Sequence, residues 1–331
     1  MNDPISIFEA VKKYGWPKPG SEVKSSEIIL GDFCNAKCFF CCAQGSSEWM
    51  PLNEVKTHIK KAFKKGCWLI SFTGGEAALY PHIVSALSYA KKLKIPMIQI
   101  VSNGIAFSNF SFAKKVAFYG ANEIKLSLHS VNSERHDRFV GVKGAFKNIM
   151  SSIENFNRLR VKVSCNFAVM KENYNELPLF VKFMEKNRLT GFCFMFGFFS
   201  GKNSYRGAGI SYSRLKPYLL TALNYIKIKK IPIETAMISN FVPCILPGYE
   251  NIMSDWGDIK SVSSVISDEN KKKSNREIYA ARKTLIDSCA KCVYVKICYG
   301  IEKAYLEKFG DMEFKPLLKI PSKKIYDPLY L

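Results

Sequence analysis

The chain predicts an α/β fold in which a parallel sheet is wound with helices and followed by a smaller cysteine-rich extension. Three observations predict it. From about residue 26 to 201, short apolar runs rich in β-branched and aromatic residues alternate with stretches of helical periodicity. A length of 331 residues with 47% hydrophobic content can bury one barrel-sized core and an appendage. Beyond about residue 236 the alternation stops, and cysteines recur at ligand spacing.

Taken in order, residues 1–25 form an N-terminal extension ahead of the first strand. Strands are expected at 27–30, 68–73, 97–102, 123–128, 162–168 and 191–198, each an apolar run short enough for a buried strand. Helices are expected between them at 52–65, 81–93, 112–119, 145–158 and 175–187, several opened by capping residues or a first-turn proline such as Pro81. A further helix at 213–227 and a strand at 231–234 lead out of this unit, which spans 26–235. The remainder, 236–331, is a separate extension with a polar, mobile loop at 251–277 and a helix at 301–309.

Composition excludes several classes. The N-terminus lacks a basic region followed by an apolar stretch, and no unbroken apolar run approaches the ~18 residues that span a membrane. Eleven cysteines clustered at ligand spacing, without a secretory signal, point to a reducing, cytoplasmic setting rather than disulfides. The formal net charge of +21 is spread along the chain as lysines, as in Lys271-Lys272-Lys273, and no nucleic-acid motif accompanies it, so nucleic acid is not an expected partner. An acidic substrate stays open.

Chemistry enters with Cys34, Cys38 and Cys41, in the order Cys34-Asn-Ala-Lys-Cys38-Phe-Phe-Cys41. Three thiolates in a short hook can hold three irons of a 4Fe-4S cubane and leave the fourth for a ligand, as an open catalytic metal site requires. A zinc hook or three core cysteines are the alternatives. At the end of the second expected strand stands Gly74-Gly75-Glu76, whose glycines permit close backbone approach and whose carboxylate suits an ammonium group.

The C-x3-C-x2-C spacing with an aromatic before its last cysteine, one βα unit ahead of Gly-Gly-Glu, resembles the radical S-adenosylmethionine (SAM) superfamily. The resemblance implies a partial (β/α)6 barrel with its chemistry at the carboxyl ends of the strands. It implies SAM chelated to the open iron by its amino and carboxylate groups and reductively cleaved to a 5'-deoxyadenosyl radical, with the electron coming from a flavodoxin or ferredoxin. It further implies that Gly74, Gly75 and Glu76 receive the methionine amino group, and that Ser102 and Asn103 lie near the ribose and carboxylate. Ser127 is then the ribose-binding serine, Phe40 lies against adenine, and Val169 and Met170 form the apolar side of the adenine slot. His129, at the mouth of the fourth strand, is placed to contact substrate or SAM, whereas His136 and Asp137 take a structural role; His58 and His82 are surface or packing residues.

Cys289, Cys292 and Cys298 have a C-x2-C-x5-C spacing that resembles the SPASM and twitch extensions of that superfamily. Glu302 stands where the full SPASM pattern has another cysteine, so one auxiliary 4Fe-4S cluster is implied, with Cys244 as fourth ligand; a four-cysteine zinc site is the competing reading. Of the others, Cys42 is unassigned, Cys67 is core, and Cys165 and Cys193 pack in strands unless one of them points inward. The implied activity is hydrogen abstraction from a C–H bond of a peptide or amino-acid-derived substrate, an oxidoreductase-type reaction. A sugar or cyclitol dehydrogenase or epimerase is the first alternative, and a non-catalytic iron-sulfur protein the second.

Overall fold

The computed structural model describes residues 22–23, 25–41, 48–197, 209–231, 233, 235–253, 260–261 and 281–321. Cys42, nearly all of the expected extension 1–25 and most of the expected loop 251–277 lie outside the described residues.

Seven strands form one sheet, each hydrogen-bonded to the next in chain order: β1 (Ser25–Ile29), β2 (Leu69–Thr73), β3 (Met97–Ser102), β4 (Glu123–Ser127), β5 (Lys162–Val169), β6 (Gly191–Phe196) and β7 (Thr235–Ser239). All six pairings are parallel. Parallel neighbours need crossovers, which helices supply, and winding always in one direction curls the sheet into a half-barrel. The crossovers carry α1 (Leu52–Lys64), α2 (Ile83–Lys92), α3 (Phe110–Tyr119), α4 (Ser133–Val140), α5 (Ala145–Arg158), α6 (Leu177–Lys186) and α7 (Tyr212–Lys229).

The sheet has the six expected strands and a seventh, whose expected position is corrected. The strand expected at 231–234 falls at Thr235–Ser239 and pairs with β6 from Gly191↔Thr235 to Met195↔Ser239, so the sheet continues past the expected boundary at 235. Lys230 turns out of α7 at φ +49°, and Ile231 and Ile233 are buried in the connection, which gave that segment its strand-like composition. Helix α4 is not among the expected helices, and only a structural role was expected of His136 and Asp137 within it. Its start is nevertheless marked in the sequence by Asn132, whose Oδ1 accepts the Arg135 amide at 2.9 Å, and its end by Gly141 at φ +67°.

Alternation along the strands decides what faces the barrel lumen. Val163, Cys165, Phe167 and Val169 of β5 and Phe192, Phe194 and Phe196 of β6 belong to the core between sheet and helices. Ser164, Asn166 and Ala168, and Cys193 and Met195, therefore face the lumen; on β4 the same rule turns Lys125 and Ser127 inward.

Beyond β7 the described residues form a short antiparallel pair, β8 (Lys283–Thr284) with β9 (Ile301–Glu302), and α8 (Lys303–Phe309). The expected helix 301–309 thus begins two residues late. This extension docks on the start of α7: Tyr305 stacks on Tyr212 with ring centroids 4.7 Å apart, its hydroxyl oxygen accepts the Tyr212 amide at 2.8 Å, and the hydroxyl donates to Glu313. Tyr294, Ile301, Tyr305 and Phe314 share the barrel's core cluster, so the extension is held by apolar burial as well.

Candidate active site

Cys34, Cys38 and Cys41 sit half-buried in the loop that leaves β1 at the carboxyl end of the sheet. The loop is fastened to the end of α4, because the Lys37 amide donates to the Val140 carbonyl at 2.9 Å and the Phe39 amide to the Phe139 carbonyl at 3.3 Å. Burial pushes the Cys38 thiol up to about 12, with the nearby Cys41 and Cys34 adding to it. Three thiols on one short loop, two of them raising the third, are a donor set whose chemistry fits iron. Among the described residues no three His, Cys, Asp or Glu side chains close on the position of a single metal ion.

The turn after β2 is built onto this loop. The Gly75 amide donates to the Gly31 carbonyl at 2.7 Å and the Glu76 amide to the Phe33 carbonyl at 2.8 Å. A Cβ on Gly74 would stand 2.3 Å from the Gly31 oxygen, and one on Gly75 2.3 Å from the Phe33 oxygen and 2.4 Å from the Asp32 oxygen. Sequence reasoning assigned the two glycines to close approach by a ligand; in the structure it is the cysteine loop's own backbone that requires them.

Glu76 differs from its expected role in the same sense. Its side chain is 1% exposed, Oε1 accepts the Ala78 amide at 3.0 Å and Oε2 the Asn103 amide at 2.7 Å. Burial holds its carboxyl above the usual range, against the pull of hydrogen bonds from Ser102, Asn103 and Ala78. The carboxylate therefore ties the ends of β2 and β3 together. Ser102 is buried, with Oγ accepting the Gly104 amide at 2.9 Å, while Asn103 donates its side-chain amide to Asn35 Oδ1 at 2.7 Å and lies 3.9 Å from the Cys34 sulfur.

Facing the cysteine loop is an apolar wall. Phe40 packs against the cluster of Phe139, Ala168 and Met170, and its ring meets His129 edge-on with centroids 4.8 Å apart. Val169 is not part of this wall: one residue out of phase with Met170, it lies in the core behind the sheet, which corrects its placement at an adenine slot. His129 is corrected as well. It is buried, its Nδ1 accepts the Ala168 amide at 3.1 Å, and burial, with His136 beside it, lowers its pKa to about 3, so it is a neutral acceptor that fixes β5.

Two buried residues were missed by sequence reasoning. Asn173 donates to the His129 and Ala168 carbonyls at 2.7 and 2.8 Å and accepts the Met170 amide at 2.7 Å, clamping β4 to β5 at the lumen's rim. Glu176 accepts from the Ser130 hydroxyl, the Val131 amide and the Arg135 guanidinium. An isolated polar residue just past a strand was their one sequence signal, and turn residues share it.

Below this rim Ser127 pairs in register with Asn166, and Asn166 with Cys193. Glu27 is reached by water yet enclosed by the barrel wall. That enclosure pushes its carboxyl up, while Lys125 pulls it down. Of the two strand cysteines left open by the sequence, Cys165 is in the core and Cys193 faces the lumen.

The four remaining ligand candidates also meet. Cys244, Cys289, Cys292 and Cys298 line one apolar-walled pocket with Leu285 and Tyr294. Burial pushes the Cys244 thiol up to about 12, and Cys298, Cys289 and Cys292 each add to it. The Cys292 amide donates to the Cys289 carbonyl at 2.9 Å, closing the knuckle, and the Gly300 amide donates to the Cys298 sulfur at 3.4 Å. Glu302 lies outside this lining and is ion-paired with Arg282 Nε at 3.2 Å.

No helix of the described residues is long and apolar enough to cross a membrane. Comparison with known proteins agrees with the geometry. The Fe-coproporphyrin III synthase of Methanosarcina barkeri is 28% identical over 176 residues, 52% of this chain and 43% of that protein. A probable GTP 3',8-cyclase of Methanocaldococcus jannaschii is 28% identical over 174 residues, 50% of this chain and 56% of that one. The chain thus spans about half the length of the curated relatives it matches. In fold it resembles Streptococcus suis SuiB bound to S-adenosylmethionine, with a TM-score of 0.68 and 17% identity over 93% of this chain and 79% of that one. It also resembles anSMEcpe with bound AdoMet and a Kp18Cys peptide, with a TM-score of 0.61 and 14% identity over 89% and 93% of the two chains. Residues 28–184, from β1 into α6 and including the cysteine loop and the Gly-Gly-Glu turn, match the model of the radical SAM superfamily, so this part of the chain is a radical SAM domain.

Proposed function

We propose that the protein abstracts hydrogen from a C–H bond of a peptide or amino-acid-derived substrate, using two 4Fe-4S clusters, one of them in a twitch-type extension. The observation that carries this is the second cysteine set, a four-cysteine pocket in the extension docked on α7 beside the barrel. The curated relatives are matched over about half of this chain, whereas the structural likeness to SuiB and anSMEcpe covers 93% and 89% of it. One SuiB structure is bound to its precursor peptide SuiA, and anSMEcpe is bound to a peptide, which supports the substrate class.

S-adenosylmethionine, bound at a 4Fe-4S cluster on Cys34, Cys38 and Cys41, supplies a 5'-deoxyadenosyl radical as hydrogen abstractor. The chain's own residues do the positioning. Gly75 and Glu76 fix the height of the cysteine loop over β2 by their backbone bonds, at the methionine end of the site. Asn103 and Ser127 present polar side chains to the carboxylate and ribose, and Phe40 with Met170 covers adenine. Val169 supports this wall from behind. Lumen residues Lys125, Asn166 and Glu27 give the substrate polar partners, and the apolar rim keeps water from the reacting carbon. A flavodoxin or ferredoxin supplies the electron.

The four cysteines that line one pocket of the extension are read as ligands of a cluster, with a four-cysteine zinc site as the competing reading. The test is anaerobic reconstitution followed by incubation with dithionite, S-adenosylmethionine and, in separate arms, short peptides or sugars. We expect about eight irons and 5'-deoxyadenosine formation stimulated by a peptide. Near-stoichiometric zinc with about four irons overturns the second cluster, and stimulation only by sugars overturns the substrate class. Cys193, inward on β6, favours a second reading, epimerisation, in which a thiol returns hydrogen to the substrate; the product then keeps its mass in H2O and gains one deuterium in D2O.

A further inference from the structure

The polar side chains inside the barrel form two layers that differ in how they are satisfied. In the floor, Ser71 Oγ donates to Gln99 Oε1 and Ser164 Oγ to Glu123 Oε1, both at 2.7 Å, and all four residues are buried. Each pair ties one strand to its neighbour, β2 to β3 and β4 to β5, so these groups serve the fold.

The layer above is different. Lys125 lies on β4 between Ile124 and Leu126, both fully buried behind the sheet, so its side chain stands on the lumen face. It is in register with Val101 and Ser164, and one pleat nearer the rim Ser127 is in register with Asn166. Lys125 and Asn166 are thus diagonal neighbours on one face, roughly 8 Å apart at Cα by strand spacing and rise. Both are half-buried and open to water.

Among the described residues no carboxylate forms an ion pair with Lys125, no oxygen accepts a hydrogen bond from it, and the Asn166 side-chain amide has no partner. Glu123, two residues deeper on the same face, is engaged by Ser164. Glu27, three strands away on β1, senses the Lys125 charge across the lumen without pairing with it. An ammonium in such a recess is poorly screened by water, and an anion entering it gains accordingly. Three rotatable lysine donors and a directional amide suit the two oxygens of a carboxylate. A chain of net charge +21 also draws an acidic molecule in.

We propose that Lys125, with the Asn166 amide beside it, seats a carboxylate of the substrate and so selects acidic peptides. This deepens the peptide reading given above and rests on it. Lys125 lies two residues deeper than Ser127, about 7 Å along the strand, so an anchored carboxylate leaves the carbons next to it directed at the rim. The carboxylate belongs either to an acidic side chain or to the peptide's C-terminus, and both offer the same chemistry.

The test reconstitutes the full chain anaerobically and follows 5'-deoxyadenosine formation, with SAM and dithionite, on four short peptides. They carry a central Glu or Gln, each with a free or an amidated C-terminus. A peptide bearing the recognised carboxylate should show a KM roughly tenfold or more below that of the amidated Gln peptide, and the arm that shows it identifies the source. Lys125→Met should erase the difference, Lys125→Arg should keep most of it, and Lys125→Glu should turn the preference to a central Lys. Equal KM values for all four peptides in the parent overturn the proposal while leaving the peptide reading in place. Stimulation by sugars with none by any peptide overturns both. If Lys125→Met weakens SAM binding as much as it weakens peptide stimulation, the ammonium serves the cofactor and the proposal fails. Should Lys125→Met not load iron, the parent's own preference and the charge-keeping Lys125→Arg decide.

Discussion

Glu76 Oε2 accepts the backbone amide of Asn103 at 2.7 Å, and the Asn103 side chain donates to Asn35 beside Cys34, so one buried carboxylate links β2, β3 and the cysteine loop. Glu76→Ala leaves the Asn103 and Ala78 amides without acceptors in the interior, at about 1–3 kcal/mol each. Urea unfolding should show that loss, with weaker SAM binding following from the freed Asn103. Glu76→Gln should fall between parent and alanine, because one amide keeps its oxygen. Parent-like stability in Glu76→Ala would mean that the link carries no load.

Gly75 tests the backbone fit without any left-handed strain, since it is absent from the positive-φ glycines. Gly75→Ala drives a methyl group to 2.3 Å from the Phe33 oxygen, and the cysteine loop must move away. The expected result is loss of about half the iron on reconstitution and loss of SAM cleavage. Full iron with normal cleavage would show that the loop yields freely.

Cys244 is the ligand candidate furthest in sequence from the other three, and a cluster missing one of four thiolates is labile. Cys244→Ala should lower iron content and abolish turnover of substrate, whereas SAM cleavage at the first cluster largely survives. An unchanged cluster spectrum would make Cys244 a bystander.

His129 and His136 govern acid stability. Burial holds both neutral, lowering them to about 3 and about 4, whereas the unfolded chain takes up protons near 6.5. A lowered folded-state pKa gives stability that is whole above about 6.5 and is lost as pH falls, by up to about 1.4 kcal/mol per pH unit and group. Denaturation between about pH 6.5 and 5, with iron content followed in parallel, should show a shallower slope in His136→Gln than in the parent. Equal slopes would show that the imidazole protonates without penalty.

The sequence by itself determined the parallel α/β class, most strand positions and both cysteine sets, because these are written locally. Buried parallel strands need continuous apolar runs such as Met97–Ser102, and metal ligands need fixed short spacings. Residues whose meaning lies in distant partners were legible only in type. Gly74, Gly75 and Glu76 were recognised as a site but assigned to a ligand, since nothing local tells that the Gly31–Phe33 backbone passes 2.3 Å from where a Cβ would be. Strand phase was equally hidden: a one-residue offset sends Val169 into the core and Met170 to the lumen rim, and Cys165 outward while Cys193 turns inward. Tertiary structure also decided where the strand expected at 231–234 lies, since Thr235–Ser239 gains its place by pairing with β6. Asn173 and Glu176 drew their importance from burial, which sets the strength of a hydrogen bond or a charge and has no signature in a single sequence.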